Sequence, residues 1–292
     1  MAADAARNEF VPLPGLLPGA VVSAVGYRMA DSAPRVHRGL PSPALTLVLS
    51  LDEPIVTGRS PAHATGPQAH REGIVLGGLH TGPAFIAQPH RQAGIQLAVR
   101  PCAARELLGL PASELGMLGN DVGAVLGSGA DRLREQLHEA QDWTERYVLL
   151  AAFLRRRREE AARRPGPRPE ITEAWQWIAR HRGAGSMEGL ARHVLLSRRQ
   201  LTELFRAELG VTPKAASRLM RFEYARQQIV RTLGRGAAPD LTEVAHTTGY
   251  YDHSHLVRDF RQYTGTSPTG WLAEERRNIQ AGAHQRSEDW GT

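Results

Sequence analysis

Residues Ser197 to Pro213 are echoed fifty-five positions later by Asp252 to Pro268, and this internal repeat restricts the fold more than any other feature. At that one offset Leu201 aligns with Leu256, Phe205 with Phe260, Arg206 with Arg261, Gly210 with Gly265 and Pro213 with Pro268. Upstream, Leu190-Ala191 aligns with Val244-Ala245 at an offset of fifty-four, so one turn of the second copy is a residue longer. Two copies are too few for a solenoid, which needs about three repeats to bury a continuous core. A duplicated helix–turn–helix, each copy serving one stretch of DNA groove, explains the number better.

Each copy carries its own start and stop signals. Ser197 precedes an apolar-periodic stretch and Gln200 follows three residues on, which makes a capping box; Asp252 holds the equivalent place in the second copy. Leu201, Leu204 and Phe205 then point inward, as do Leu256 and Phe260. Gly210 and Gly265 suit helix C-caps, and Pro213 and Pro268 suit the first position of the next helix. Facing outward near the helix starts are Arg198, Arg199, Thr202 and Glu203 in one copy, and His253, Ser254, His255 and Arg258 in the other. Such side chains can reach base edges: Arg to guanine, Ser or Thr to several acceptors, Glu to cytosine. Either face taken alone reads as well as the solvated side of a bundle helix; the duplication favours readout.

Between the copies, Lys214 to Arg231 reads as one helix of about 18 residues, roughly 27 Å long. A rod of that length could hold two reading helices about one B-DNA turn apart, roughly 34 Å. Arg218, Arg221 and Arg226 along it could reach phosphates, although Arg221 could equally pair with an acid inside the bundle.

Charge follows the same division. The chain carries a formal +6, yet residues 1–154 hold 12 basic and 14 acidic side chains. Residues 155–169 hold 7 basic and 2 acidic, and residues 170–272 hold 14 and 10. Positive charge therefore accompanies the repeat, where a phosphate-facing surface needs it. The run Arg155-Arg156-Arg157-Arg158 through Pro165-Gly166-Pro167-Arg168-Pro169 ends any helix and marks a boundary. The expected organisation is a front domain over 1–160, an Arg/Pro-rich linker over 161–169, a helical domain over 170–276 and a polar, disordered tail over 277–292.

The front domain reads as α+β. Short β-prone runs at 20–28, 44–51, 73–79, 84–88 and 95–100 are separated by Pro and Gly clusters, which suggests a small barrel or sandwich. Helices follow at 103–108 and near 111–115, then one long helix from about Asp131 to Arg158 with Leu133, Leu137, Val148, Ala151 and Leu154 on its apolar side. The second half reads as all-α, with two helix–turn–helix motifs joined by the linker helix.

The segment Val244-Ala245, Gly249-Tyr250-Tyr251-Asp252-His253-Ser254-His255-Leu256, Arg258-Asp259-Phe260-Arg261, Gly265-Thr266-Ser267-Pro268 resembles the signature of AraC/XylS-type transcription regulators. The first copy and Arg221-Phe222-Glu223-Tyr224-Ala225 fit the same pattern, over about 100 residues in all. The resemblance implies a sequence-specific DNA-binding regulator with two recognition helices in successive major grooves. It puts Arg199, Gln200, Thr202 and Glu203 at base-facing positions of the first helix, and His253, Ser254, His255 and Arg258 at those of the second. Arg198, Arg206 and Arg261 complete the expected DNA-binding set. Glu203 is acidic where members often carry a basic or amide side chain. The front half resembles, more loosely, the cupin-like sensor or dimerisation domains found ahead of such halves, through Gly94 to Arg100 and Ala104 to Leu115. The implied partners are double-stranded DNA, an unknown small-molecule effector, a second copy of the chain, and RNA polymerase if the regulator activates.

Other classes find little support. No Gly-x-Ser-x-Gly elbow, P-loop or His-Glu-x-x-His helix occurs, so no enzyme activity is expected. His37, His63, His70, His80 and His90 include no His-x-His pair, and neither a metal nor another cofactor is expected. Methyl-accepting regulators of the Ada type need further cysteines and a histidine after the acceptor, whereas Cys102 is the one cysteine and Ala103 follows it. Cys102 reads instead as a small buried apolar residue. No apolar run of about 18 residues exists and the start lacks a secretory pattern, so no membrane span and a cytoplasmic, bacterial nucleoid-associated location are expected. The alternative reading is a ligand-binding protein whose helical half mediates protein–protein contacts.

Overall fold

The computed structural model describes residues 8–29 and 35–280. Its N-terminal half is built on two antiparallel sheets. The strands are β1 (Glu9–Pro12), β2 (Val21–Met29), β3 (Arg35–Gly39), β4 (Leu45–Ser50), β5 (Ile55–Gly58), β6 (His70–Glu72), β7 (Ile74–Gly77), β8 (Ala84–Gln88) and β9 (Gln92–Val99), with the short helix α1 (Pro61–Thr65) between β5 and β6. One sheet has the order β1-β2-β9-β4-β7 and the other β3-β8-β5-β6. The alternating leucines fix the central register: Leu45 faces Val99, Leu47 faces Leu97 and Leu49 faces Ile95. All six are buried. A slip of one residue would turn this row away from the core and forfeit about 2 kcal/mol for each large side chain. The five expected strands are all present. β1, β3, β5 and β6 went unread because they are short; β3, Arg-Val-His-Arg-Gly, shows no apolar alternation.

After β9, a 3-10 turn (Pro101–Ala103) leads into α2 (Ala104–Leu108), a second such turn (Ala112–Glu114) and α3 (Val122–Leu126). The single long helix expected from Asp131 to Arg158 is two helices, α4 (Gly129–Glu139) and α5 (Trp143–Ala161). Asp142 caps α5 by accepting from the Glu145 amide at 2.8 Å, while the Glu145 carboxylate accepts from the Gln141 amide at 2.8 Å. This reciprocal cap begins a new helix and resets its phase. Val148, expected on the apolar side, is accordingly 58% exposed, and Leu150, Phe153 and Leu154 face the core.

The C-terminal half comprises α6 (Pro169–Arg180), α7 (Met187–His193), α8 (Arg198–Leu209), α9 (Pro213–Gly234), α10 (Leu241–Thr247), α11 (His253–Thr264) and α12 (Pro268–Gln280). Helix α9 has 22 residues, against the expected 18 or so. At 1.5 Å per residue it spans about 33 Å. Of the tail expected over 277–292, residues 281–292 lie outside the described part.

The buried apolar side chains form two clusters. One runs from the five-stranded sheet through α2, α4 and α5 into α6, α8 and the first turns of α9, ending at Ala216 and Met220. The other holds Phe222, Ala225 and Ile229 of α9 with Val244, Leu256, Phe260, Tyr263 and Trp271. Helix α9 thus belongs to both.

Candidate nucleic-acid interface

The two helix–turn–helix units, α7–α8 and α10–α11, repeat each other bond for bond up to one point. After α7, Leu195 turns left-handed at φ 56°; after α10, Gly249 does so at φ 80°. The next amide then closes the turn, Leu196 donating to the Ala191 carbonyl at 3.0 Å and Tyr250 to the Ala245 carbonyl at 2.9 Å. The N-caps follow. Ser197 Oγ accepts from the Gln200 amide at 3.2 Å, and Asp252 Oδ1 accepts from the His255 amide at 2.7 Å. At the far ends Gly210 and Gly265 are left-handed, at φ 78° and 71°, and each amide donates to the carbonyl of the aligned arginine, Arg206 or Arg261. These positions need glycine because a side chain would be strained there.

Leu201 and Phe205 of α8, like Leu256 and Phe260 of α11, are buried, so each helix turns its other face outward. On α8, Arg198, Arg199, Gln200, Glu203 and Arg206 are exposed and Thr202 is half-buried. On α11, His253, Ser254, Arg258 and Arg261 are exposed and His255 is half-buried, its ring edge-on to Tyr250 at 5.1 Å. The α8 face is partly committed to itself. Gln200 Oε1 accepts from the Ser197 amide at 3.1 Å, Thr202 Oγ1 donates to the Arg198 carbonyl at 2.8 Å, and Arg199 Nε pairs with Glu203 at 2.8 Å. The acidic residue at the reading face is therefore a partner of its neighbouring arginine. The Arg198, Arg206, Arg258 and Arg261 side chains enter no ion pair among the described residues.

The arginines of α9 act differently from the expectation. Arg218 Nη2 donates to Asp259 Oδ1 at 2.6 Å and to Gln262 Oε1 at 2.8 Å. Arg226 makes a two-pronged contact with the buried Glu223, at 2.8 and 2.6 Å. Arg221 lies over the Tyr250 ring at 5.4 Å and donates to the Gly249 carbonyl at 3.3 Å, with no acid as partner among the described residues. Arg218 and Arg221 thus fasten α11 and its turn to the rod, whereas Arg226 is held by Glu223 within α9 itself. Asp259 itself is fully buried beside Tyr250 and Tyr263. Burial, reinforced by the Asp259 charge, pushes the Tyr250 hydroxyl up, and burial pushes that of Tyr263 to about 12. Both stay protonated at neutral pH.

The inner side of α8 is held by the front domain. Arg105 of α2 grips Glu208 with Nε at 2.7 Å and Nη2 at 3.0 Å, and Ser113 Oγ donates to the Ala207 carbonyl at 2.6 Å. Arg38 of β3 reaches Glu274 of α12 at 2.8 Å. Near this junction Cys102 is half-buried, and burial pushes its thiol up to about 12, which suits an inert packing role. His63 Nε2 meets the Gln68 carbonyl at 2.7 Å and His80 Nδ1 the Gly82 carbonyl at 2.6 Å, so both rings serve their own loops. Sequence reasoning passed over Tyr251 and Leu195, which are 94% and 90% exposed; for Tyr251 the change of offset from fifty-four to fifty-five was the available signal.

Residues 190–274 match the family model described as a helix-turn-helix domain. Among solved structures, an apo ToxT variant from Vibrio cholerae aligns at a TM-score of 0.50 and 8% identity, over 86% of this chain and 97% of that one. ToxT from Vibrio cholerae O395 bound to (E)-4-(8-methylnaphthalen-1-yl)but-3-enoic acid aligns at 0.49 and 11% identity, over 92% and 100%. No curated protein matches the chain. At such identities the likeness is one of fold. Together with the duplicated motif it defines the architecture, a β-rich front domain followed by a double helix–turn–helix. The matched residues include the segment that resembles the AraC/XylS signature.

Proposed function

We propose that this chain is a transcription regulator of the AraC/XylS type that reads DNA through Arg198, Arg199, Gln200, Thr202, Glu203 and Arg206 on α8 and through His253, Ser254, His255, Arg258 and Arg261 on α11. The observation that carries the reading is the pair of outward faces joined by α9, whose length of about 33 Å is close to one B-DNA turn. Affinity comes largely from arginine contacts to phosphate and falls steeply with salt; base preference comes from the two faces. The working division is a front module over 1–160, a joint over 161–169 and the DNA-binding module over 170–276. The front module modulates the reading, supported by the Arg105–Glu208 and Ser113–Ala207 contacts on the inner side of α8. An enclosed apolar void between β4, β9 and α5, lined by residues such as Leu45, Val99 and Phe153, holds about 10 Å³. That is about one water's room, so an effector entering there must first open the core. The same reading includes a bacterial cytoplasmic setting, no catalysis, pairing with a second copy, and RNA polymerase as partner of an activator.

Selection of duplexes from a random pool by the full chain tests the proposal. Salt-dependent enrichment of a site with two half-sites supports it, and failure to enrich or bind any duplex overturns it. On the selected duplex, Arg258→Ala should cost about 1–3 kcal/mol at one or two base pairs, read by competition binding. An equal loss on random DNA would assign Arg258 to phosphate alone.

A further inference from the structure

The two turns differ by one residue, and the structure locates it. Leu195 and Gly249 are the matching left-handed positions, and Leu196 and Tyr250 make the matching amide bonds, both at an offset of fifty-four. The N-caps Ser197 and Asp252 stand at an offset of fifty-five. The extra residue is therefore Tyr251, between the completed turn and the cap. It has no counterpart in the first copy and is 94% exposed. No hydrogen bond or ring contact engages it among the described residues. The first copy shows that the same turn closes without it, so the fold gives this aromatic nothing to do.

We propose that Tyr251 is a DNA-backbone contact of the second reading helix, its hydroxyl donating to a phosphate oxygen beside the groove that α11 enters. The inference rests on the DNA-binding reading above. The residue just ahead of a recognition helix lies where the chain crosses from the sugar–phosphate wall into the groove. A phenol there supplies a donor without charge, and contacts of this kind fix register but carry no sequence information. The composition of the two helix starts makes the addition intelligible. Helix α8 opens with Arg198, a cation in no ion pair among the described residues, whereas α11 opens with His253-Ser254-His255 and has no arginine before Arg258. The longer turn gives the second copy a phosphate donor at the end where the first has Arg198.

The test uses the full chain and a duplex selected by it, with Tyr251→Phe and Tyr251→Ala compared by fluorescence anisotropy across salt concentrations. Tyr251→Phe should weaken binding about five- to tenfold on selected and random duplexes alike, the net effect of losing one solvent-exposed hydrogen bond. The slope of affinity against salt should not change, because no counterion-releasing charge is removed. Phosphate-ethylation interference should lose one position flanking the second half-site in both variants. Unchanged melting temperatures would show that the exposed side chain leaves the fold alone. Wild-type protein that binds with Tyr251→Phe indistinguishable from it overturns this proposal and spares the DNA-binding reading. A loss confined to one base pair also overturns it, making Tyr251 a base reader. Wild-type protein that binds no duplex overturns both.

Discussion

Leu201, Phe205 and Leu209 of α8 lie in the same apolar cluster as Leu107, Leu108 and Phe153 of the front domain. Their counterparts on α11, Leu256 and Phe260, close a separate cluster with Phe222, Val244 and Trp271. The local code is nearly the same in both copies: a capping oxygen, apolar residues one turn apart, a left-handed glycine and a proline. What differs is the support behind it. The local code decides that a helix forms and which face it shows; the tertiary partner decides with what the helix moves.

The largest test of that contrast is a pair of truncations. Phe205 and Phe260 are both fully buried, so Phe205→Ala and Phe260→Ala should each cost about 3–5 kcal/mol. Segment-resolved hydrogen exchange should show Phe205→Ala loosening β4 and β9 together with α8. Phe260→Ala should loosen α10 to α12 and leave the sheets protected. Equal loosening of β9 by both variants would break the comparison. A smaller effect is expected from Glu208→Gln, which takes the charge from the Arg105 pair and should cost about 1–3 kcal/mol. Faster exchange should then appear in residues 104–115 and α8 but not in α11. The smallest change should be favourable. Leu195→Gly relieves a left-handed leucine that is 90% exposed, so no burial is lost, and about 0.5–1 kcal/mol should be gained in a denaturant titration. Gly249→Ala should move the other way, since its Cβ would lie 2.8 Å from that of Ala184.

The reading helices were legible because their determinants lie within one turn of each other. Ser197 and Gln200, Asp252 and the His255 amide, and Gly210 and Gly265 with the carbonyls before them are all local contacts. The break between α4 and α5 is equally local, yet the apolar spacing on either side masks the Asp142–Glu145 cap. Long-range partners left no such trace. Arg218 finds Asp259 across 41 positions and Arg105 finds Glu208 across 103, and an arginine bound for a buried carboxylate looks in sequence like one bound for phosphate. Of the three arginines of α9 that could reach phosphate, Arg218 and Arg226 are engaged by buried carboxylates in this way, whereas Arg221 lies over the Tyr250 ring.

The proline-rich stretch near 165–169 invites anyone cloning a fragment to cut there. Scissors at that joint would strip away the Pro101–Ala103 and Ala112–Glu114 turns, which cover one flank of α6 and α8. The liberated piece would carry a raw greasy seam beside an intact second hairpin, and should clump in the tube. Excising the reader means taking its chaperoning front along.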